Sequence, residues 1–172
     1  ANFCLEGLNK IERTTANTSS WDNVKGSALF YRSYNFLNLL WNYSKTYRKE
    51  TSKNDLGIVL RLGADFNQPS ARANVEQCYQ RVIEDTKSAI PLLPAIATHV
   101  YRPSKSAAYG LLARAYLSMR QYDSAHRYAS LCLDLKSDLL DYKTINTSSN
   151  RPFPAFNEEI IFYTEMFPVV SV

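Results

Sequence analysis

Apolar residues recur at helical spacing in five stretches of the chain. In Asn2–Ile11, Cys4, Leu5, Leu8 and Ile11 share one face. Lys25–Trp41 is apolar nearly all round, with Ala28, Leu29, Phe30, Tyr34, Phe36, Leu37, Leu39, Leu40 and Trp41. Its polar strip is Arg32, Asn35 and Asn38, so the pattern predicts a helix buried on most sides. Asn74–Ile90 carries a clean stripe: Val75, Cys78, Tyr79, Val82, Ile83, Thr86, Ala89 and Ile90. Asn74 followed three residues later by Gln77 is a capping pair, and Pro91 and Pro94 end the run. In Ser104–Met119 the stripe is Ala108, Leu111, Leu112, Ala115, Tyr116 and Met119, with Ser104 as N-cap. Tyr122–Leu135 follows after a short Arg120–Gln121 turn; Asp123 is placed to cap it, and Tyr122, Ala125, Ala129, Cys132 and Leu133 face inward. Between these runs lie polar segments. Two short β-branched runs, Gly57–Leu62 and Ile160–Thr164, predict strands.

The fold class predicted is mainly all-α, built of antiparallel helix pairs with long loops and a few short strands. Lys25–Trp41 pairs with Asn74–Ile90, and Ser104–Met119 with Tyr122–Leu135. Small residues at Ala108, Ala115, Ala125 and Ala129 let the second pair approach closely. That pair has the pattern of a tetratricopeptide (TPR) unit. Such units stack and present a surface, and are seldom catalytic. Two pairs are fewer than a solenoid needs, and both chain ends read as cuts through a larger protein. Residues 1–172 are expected to be one TPR-containing region.

Composition narrows the classes. Hydrophobic residues at 45% of 172 permit a sizeable core, and five glycines disfavour a glycine-rich phosphate loop. Twelve tyrosines, eight phenylalanines and two tryptophans suit helix packing and recognition surfaces alike. A net charge of +4 without a long basic stripe argues against nucleic acid. The densest basic run is Lys45, Arg48, Lys49 and Lys53, interleaved with Tyr43 and Tyr47; it reads as an exposed loop. Cys4, Cys78 and Cys132 each fall on an apolar stripe and read as small buried hydrophobes. No apolar run is long enough to span a membrane.

The chemistry available is that of recognition. His99 and His126 stand apart from metal-ligand spacing, and Glu158–Glu159 are neighbours rather than a facing pair. No GxSxG, HExxH or Walker pattern occurs. No catalytic residue, metal or cofactor is expected. Two aromatic–amide clusters are candidate ligand contacts: Trp21, Asp22 and Asn23 in a loop, and Trp41, Asn42, Tyr43 and Tyr47 at the end of a helix. A sugar ring offers an apolar face for stacking and hydroxyls for an amide. The alternative is that Trp41 closes the core and the tyrosines line a loop. Arg32, Asn35 and Asn38 are expected to be satisfied internally.

Six segments, in order, resemble the SusD/RagB family of outer-membrane nutrient-binding lipoproteins. They are ANFCLEGL (1–8), KGSALFYRSYNFLNLLW (25–41), GIVLRL (57–62), YQRVIEDTKSAIPLLP (79–94), SKSAAYGLLARAYLSMRQYDSA (104–125) and NEEIIFYTEM (157–166). In the third, Val59 stands where the family has proline. The resemblance implies a longer protein with a lipidated N-terminal cysteine and a large irregular C-terminal half, neither of them in this chain. It implies a lipoprotein exposed on the outer-membrane surface of a Gram-negative cell. That protein captures oligo- or polysaccharide for a SusC-like TonB-dependent transporter, without catalysis. The family's ligand residues follow no fixed motif. A TPR adaptor gripping a peptide is the second reading and a glycoside hydrolase the third; the long loops argue against the adaptor.

Overall fold

The computed structural model describes residues 1–154 and 156–165. Met166, which closes the NEEIIFYTEM segment, and the C-terminal residue Val172 lie outside the described residues. The chain is mainly helical: α1 (Asn2–Leu8), α2 (Thr18–Tyr43), α3 (Val75–Ala89), α4 (Lys105–Ser118) and α5 (Tyr122–Leu133). Two short strands, β1 (Leu56–Val59) and β2 (Arg72–Asn74), pair antiparallel in the connection between α2 and α3.

α2 and α3 run antiparallel. Gly26 meets Leu92 and Leu93, Arg32 meets Asp85, and Tyr47 just past the end of α2 meets Tyr79. A Cβ on Gly26 would lie 3.0 Å from that of Leu92, which explains the glycine. The Arg32 guanidinium grips Asp85 with two hydrogen bonds of 2.7 Å, and Asp85 is only 3% exposed. Arg32 also donates to Asn2 Oδ1 at 3.2 Å, so one cation ties α1, α2 and α3 together. Asn35 and Asn38 donate to the carbonyls of Tyr31 and Tyr34, an internal satisfaction of the polar strip.

α4 and α5 are also antiparallel: Cys132 lies against Ser106, and Tyr128 stacks on Tyr116 at 5.4 Å. Ala108, Ala115 and Ala125 are buried between them. Lys87 of α3 reaches over both tyrosine rings and couples the pairs. Phe30, Leu37, Leu40, Val75, Val82 and Leu112 form the fully buried centre.

Several expectations are corrected. α2 begins at Thr18, so Trp21, Asp22 and Asn23 sit on a helix and not in a loop. Its burial follows one stripe from Gly26 to Leu40, and Leu39 and Trp41 are partly exposed, so it is not buried on most sides. α1 stops at Leu8; only Leu5 and Leu8 of its stripe reach the core, and Cys4 is exposed. Burial holds for Cys78 and Cys132, whose thiols it pushes up in pKa. Asp123 does not cap α5: Gln121 occupies the cap position without a side-chain bond, and Asp123 lies in the first turn. Tyr122 and Leu133 point outward. Residues 160–164 are not a strand, although the Tyr163 amide bonds the Val100 carbonyl.

Candidate functional site

The two sequence-predicted clusters lie at opposite ends of α2, about 30 Å apart at 1.5 Å rise per residue. At the N-terminal end, the Trp21 indole donates to the Ile11 carbonyl at 3.0 Å, with Lys25 over its ring. Asp22 takes two 2.7 Å hydrogen bonds from Arg13, which hold its carboxyl below the usual range. Asn23 accepts from Ser27 and borders an open cavity of about 570 Å³ with Tyr31 and Arg102. Trp21 and Asp22 thus fasten the preceding loop to the helix.

The C-terminal end is arranged differently. Trp41 donates to Ser118 Oγ at 3.0 Å and carries the Arg114 guanidinium over its ring at 4.6 Å, joining α2 to α4. Its ring stays 38% exposed. Asn42 donates back to the Asn38 carbonyl. Tyr43 is 70% exposed, with no aromatic neighbour among the described residues. Tyr47 parts from the others: it is 5% exposed, its ring packs on Tyr79, and its hydroxyl donates to Glu76 at 2.7 Å.

Residues 44–55 fold from this end of α2 onto the start of α3. Tyr47 and Ser52 both donate to Glu76 Oε2, at 2.7 and 2.9 Å, while Gln80 donates to Oε1. The Gln80 amide, then the Tyr47 hydroxyl, hold the Glu76 carboxyl below the usual carboxylate range. Burial, reinforced by the same carboxylate, raises the Tyr47 phenol and keeps it a donor. The backbone closes the anchor: Val75 and Glu76 amides donate to the carbonyls of Asp55 and Ser52. Asn74 and Gln77 form the expected capping box. All four free amides at the start of α3 are therefore satisfied.

One face of this loop opens on a cavity of about 730 Å³ bordered by Asn42, Tyr43, Lys45, Asn54, Asp55 and Arg72. Lys45 and Asp55 pair at 2.7 Å, and that bond leads in holding Asp55 below its ordinary range. Arg72 is spent on backbone: it donates to the carbonyls of Gly57 at 2.6 Å, Tyr43 at 2.9 Å and Leu56 at 3.3 Å. A cation on the Tyr43 carbonyl caps the end of α2, where free carbonyls and the negative dipole end lie. Arg72 thereby fixes the backbone that carries the exposed Tyr43 ring. An aromatic face, two amides and an ion pair on a fixed frame can stack on and hydrogen-bond a polyhydroxylated ligand. Asn42 and Tyr43 were legible in the sequence. Asn54, Asp55 and Arg72 were not, because they come from a polar loop and an unforeseen strand.

A helical scaffold thus carries a loop-anchored surface cavity with a polar and aromatic edge. Residues 1–117 match the model of the SusD-like family described as "Starch-binding associating with outer membrane". The match takes in more than half of the sequence, and the chain belongs to that family. Its fold is similar to a SusD superfamily protein from Bacteroides thetaiotaomicron VPI-5482, with 24% identity, a TM-score of 0.64, and 77% of this chain and 28% of that one covered. It is also similar to a SusD-like carbohydrate binding protein from Bacteroides vulgatus ATCC 8482, with 21% identity, a TM-score of 0.68, and 83% and 30% covered. A laminarin binding SusD-like protein is likewise similar, at 19% identity and a TM-score of 0.57, with 74% and 25% covered. At these identities the likeness is one of fold. The chain spans less than a third of the length of each of these structures. No curated protein matches it.

Proposed function

We propose that this chain is the helical part of a non-catalytic glycan-binding lipoprotein at the outer-membrane surface. The protein captures oligo- or polysaccharide and passes it to a SusC-like TonB-dependent transporter. The observation that carries the reading is membership over residues 1–117 in a family described as starch-binding and outer-membrane associated. The cavity beside Tyr43 supports it chemically, and the ligand contacts we assign within this chain are Tyr43 and Asn42, with Asn54 beside them. Trp41, Trp21, Asp22 and Tyr47 serve as supports whose polar groups are already engaged.

The test is calorimetry of the full-length protein against a panel of neutral and acidic oligosaccharides, alongside co-purification from outer membranes. Binding without turnover, and recovery with a large outer-membrane transporter, are expected. Tyr43→Ala is expected to weaken binding about tenfold, the loss of one stacking face at roughly 1.4 kcal/mol, with unchanged melting. A protein that binds no glycan, or that fractionates away from membranes, overturns the reading.

A further inference from the structure

The middle of the 44–55 loop borders a second and larger cavity, of about 890 Å³. Its border brings together Arg48, Lys49 and Lys53 from the loop and Arg120 from the α4–α5 turn. Two carboxylates, Glu50 and Glu76, also line it. Glu76 is already occupied by Tyr47, Ser52 and Gln80, as described above. None of the four cations pairs with a carboxylate among the described residues. Five other basic side chains, Arg13, Arg32, Lys45, Arg81 and Lys136, do pair with carboxylates.

Arg120 occupies the turn that ends α4. It sits at φ 58°, the one positive φ outside glycine among the described residues. That turn position ordinarily takes glycine or asparagine, and a long side chain there costs about 1–2 kcal/mol. The conformation ends α4, with the Gln121 amide donating to the Tyr116 carbonyl and the Arg120 amide to that of Leu117, and it sets the Arg120 side chain at the cavity edge. The floor is firm, because Tyr47, Ser52 and Glu76 lock the loop to α3. The volume falls within the roughly 300–1,000 Å³ of small-molecule sites and exceeds what a single inorganic anion needs. Gln121 and Glu50 on the rim supply partners for hydroxyls.

We propose that this cavity binds a carboxylate- or sulfate-bearing sugar unit, its anion held by Arg48, Lys49, Lys53 and Arg120 and its hydroxyls by Gln121 and Glu50. This rests on the glycan-binding reading and gives it a substrate class: acidic polysaccharide. Both cavities are bordered by the same loop but by different residues, so an acidic unit in one and a neutral unit at Tyr43 are contacts of different kinds.

The experiment titrates the full-length protein with tetragalacturonate, a sulfated chondroitin tetrasaccharide, maltotetraose and inorganic sulfate. At least one acidic tetrasaccharide is expected to bind about tenfold tighter than maltotetraose at low ionic strength, and to lose most of that advantage at about 0.3 M salt. Which of the two binds distinguishes uronate from sulfate. The Lys49→Gln/Lys53→Gln double variant and Arg120→Gly are each expected to reduce acidic binding several-fold while leaving any maltotetraose affinity and the melting temperature in place or raised. Equal binding of acidic and neutral sugars overturns the proposal and leaves the glycan-binding reading standing. So does acidic binding untouched by both variants, and so does binding of inorganic sulfate alone. Absence of binding to every sugar overturns both.

Discussion

The two helix pairs solve the same packing problem with different chemistry. The α2–α3 pair is joined by residues 44–74, a connection that holds a two-stranded ribbon and borders both cavities of interest. It is held by polar cross-links: Arg32 to Asp85, Tyr47 and Ser52 to Glu76, Arg72 to three carbonyls. The α4–α5 pair is joined by residues 119–121 alone and is held by buried alanines and a tyrosine stack. A long connection has much freedom to lose on folding, so each fixed segment needs its own directional anchor. A short turn needs no anchors, but it confines its strain to one residue, Arg120. The lesson is where recognition chemistry can be placed. Loop side chains become available to a ligand only because other loop residues are committed to the scaffold.

The largest test of this contrast is Asp85→Ala, which leaves Arg32, 11% exposed at its side chain, without its carboxylate. It is expected to cost about 3–5 kcal/mol and to lower the melting temperature by about 10 °C. Urea unfolding reads the loss directly; a cost under about 1 kcal/mol would show that apolar contacts alone hold the first pair, as they do the second. Next comes Gly57→Ala in β1. The added methyl would sit 2.6 Å from Cys78 Sγ and 3.0 Å from two carbonyl oxygens. Overpacking of that kind costs about 1–3 kcal/mol, and a neutral result would mean that the ribbon shifts freely.

Glu76→Gln probes the loop anchor at about 1–2 kcal/mol. The native Glu76 carboxyl lies below the usual range. Its ionised form therefore adds stability that is fully present above the unfolded-state value and is lost as pH falls through the native one. The difference between the native protein and Glu76→Gln should be full at neutral pH and close in acid; denaturation curves at both pH values read it, and a gap independent of pH contradicts the anchor. The smallest effect belongs to the short turn. Arg120→Gly relieves the left-handed backbone and is expected to stabilise by up to about 1 kcal/mol, a small rise in melting temperature. If it destabilises, the Arg120 side chain contributes to folding and the turn is not a site of uncompensated strain.

Much of the scaffold was legible from periodicity and punctuation. Val75 to Ala89 has a strong apolar stripe with Asn74 and Gln77 at its start and Pro91 beyond its end, and Ser104 caps α4 as read. The failures share a physical cause. The start of α2 lies in a polar run, and the Asn17 side chain in its cap position bonds Thr14 and Glu12 of the preceding loop rather than the first turn of the helix. β2 is three residues, Arg72–Asn74, with no alternation to detect; its partner and the Arg72 bonds create it. Cys4 and Leu133 fit a stripe on paper and lie within α1 and α5, but each falls on the solvent side, because only part of each stripe meets a neighbouring element. At the candidate site, residue types suggested aromatic–amide chemistry at both ends of α2. Availability depended on neighbours outside each cluster: Ile11 in the preceding loop for Trp21, and Ser118 and Glu76, far along the chain, for Trp41 and Tyr47.

The start of α3 takes two of its four amide partners from the loop that precedes it, through the carbonyls of Ser52 and Asp55. Lifting that loop would strand two donors, so loop opening and unwinding of the first turn of α3 are one event. On the timescale of amide exchange, Val75 and Glu76 should therefore report on the loop, slowing together when a ligand occupies either of its faces and quickening together in Glu76→Gln. Residues 44–55 are thus a fixed part of the helix start.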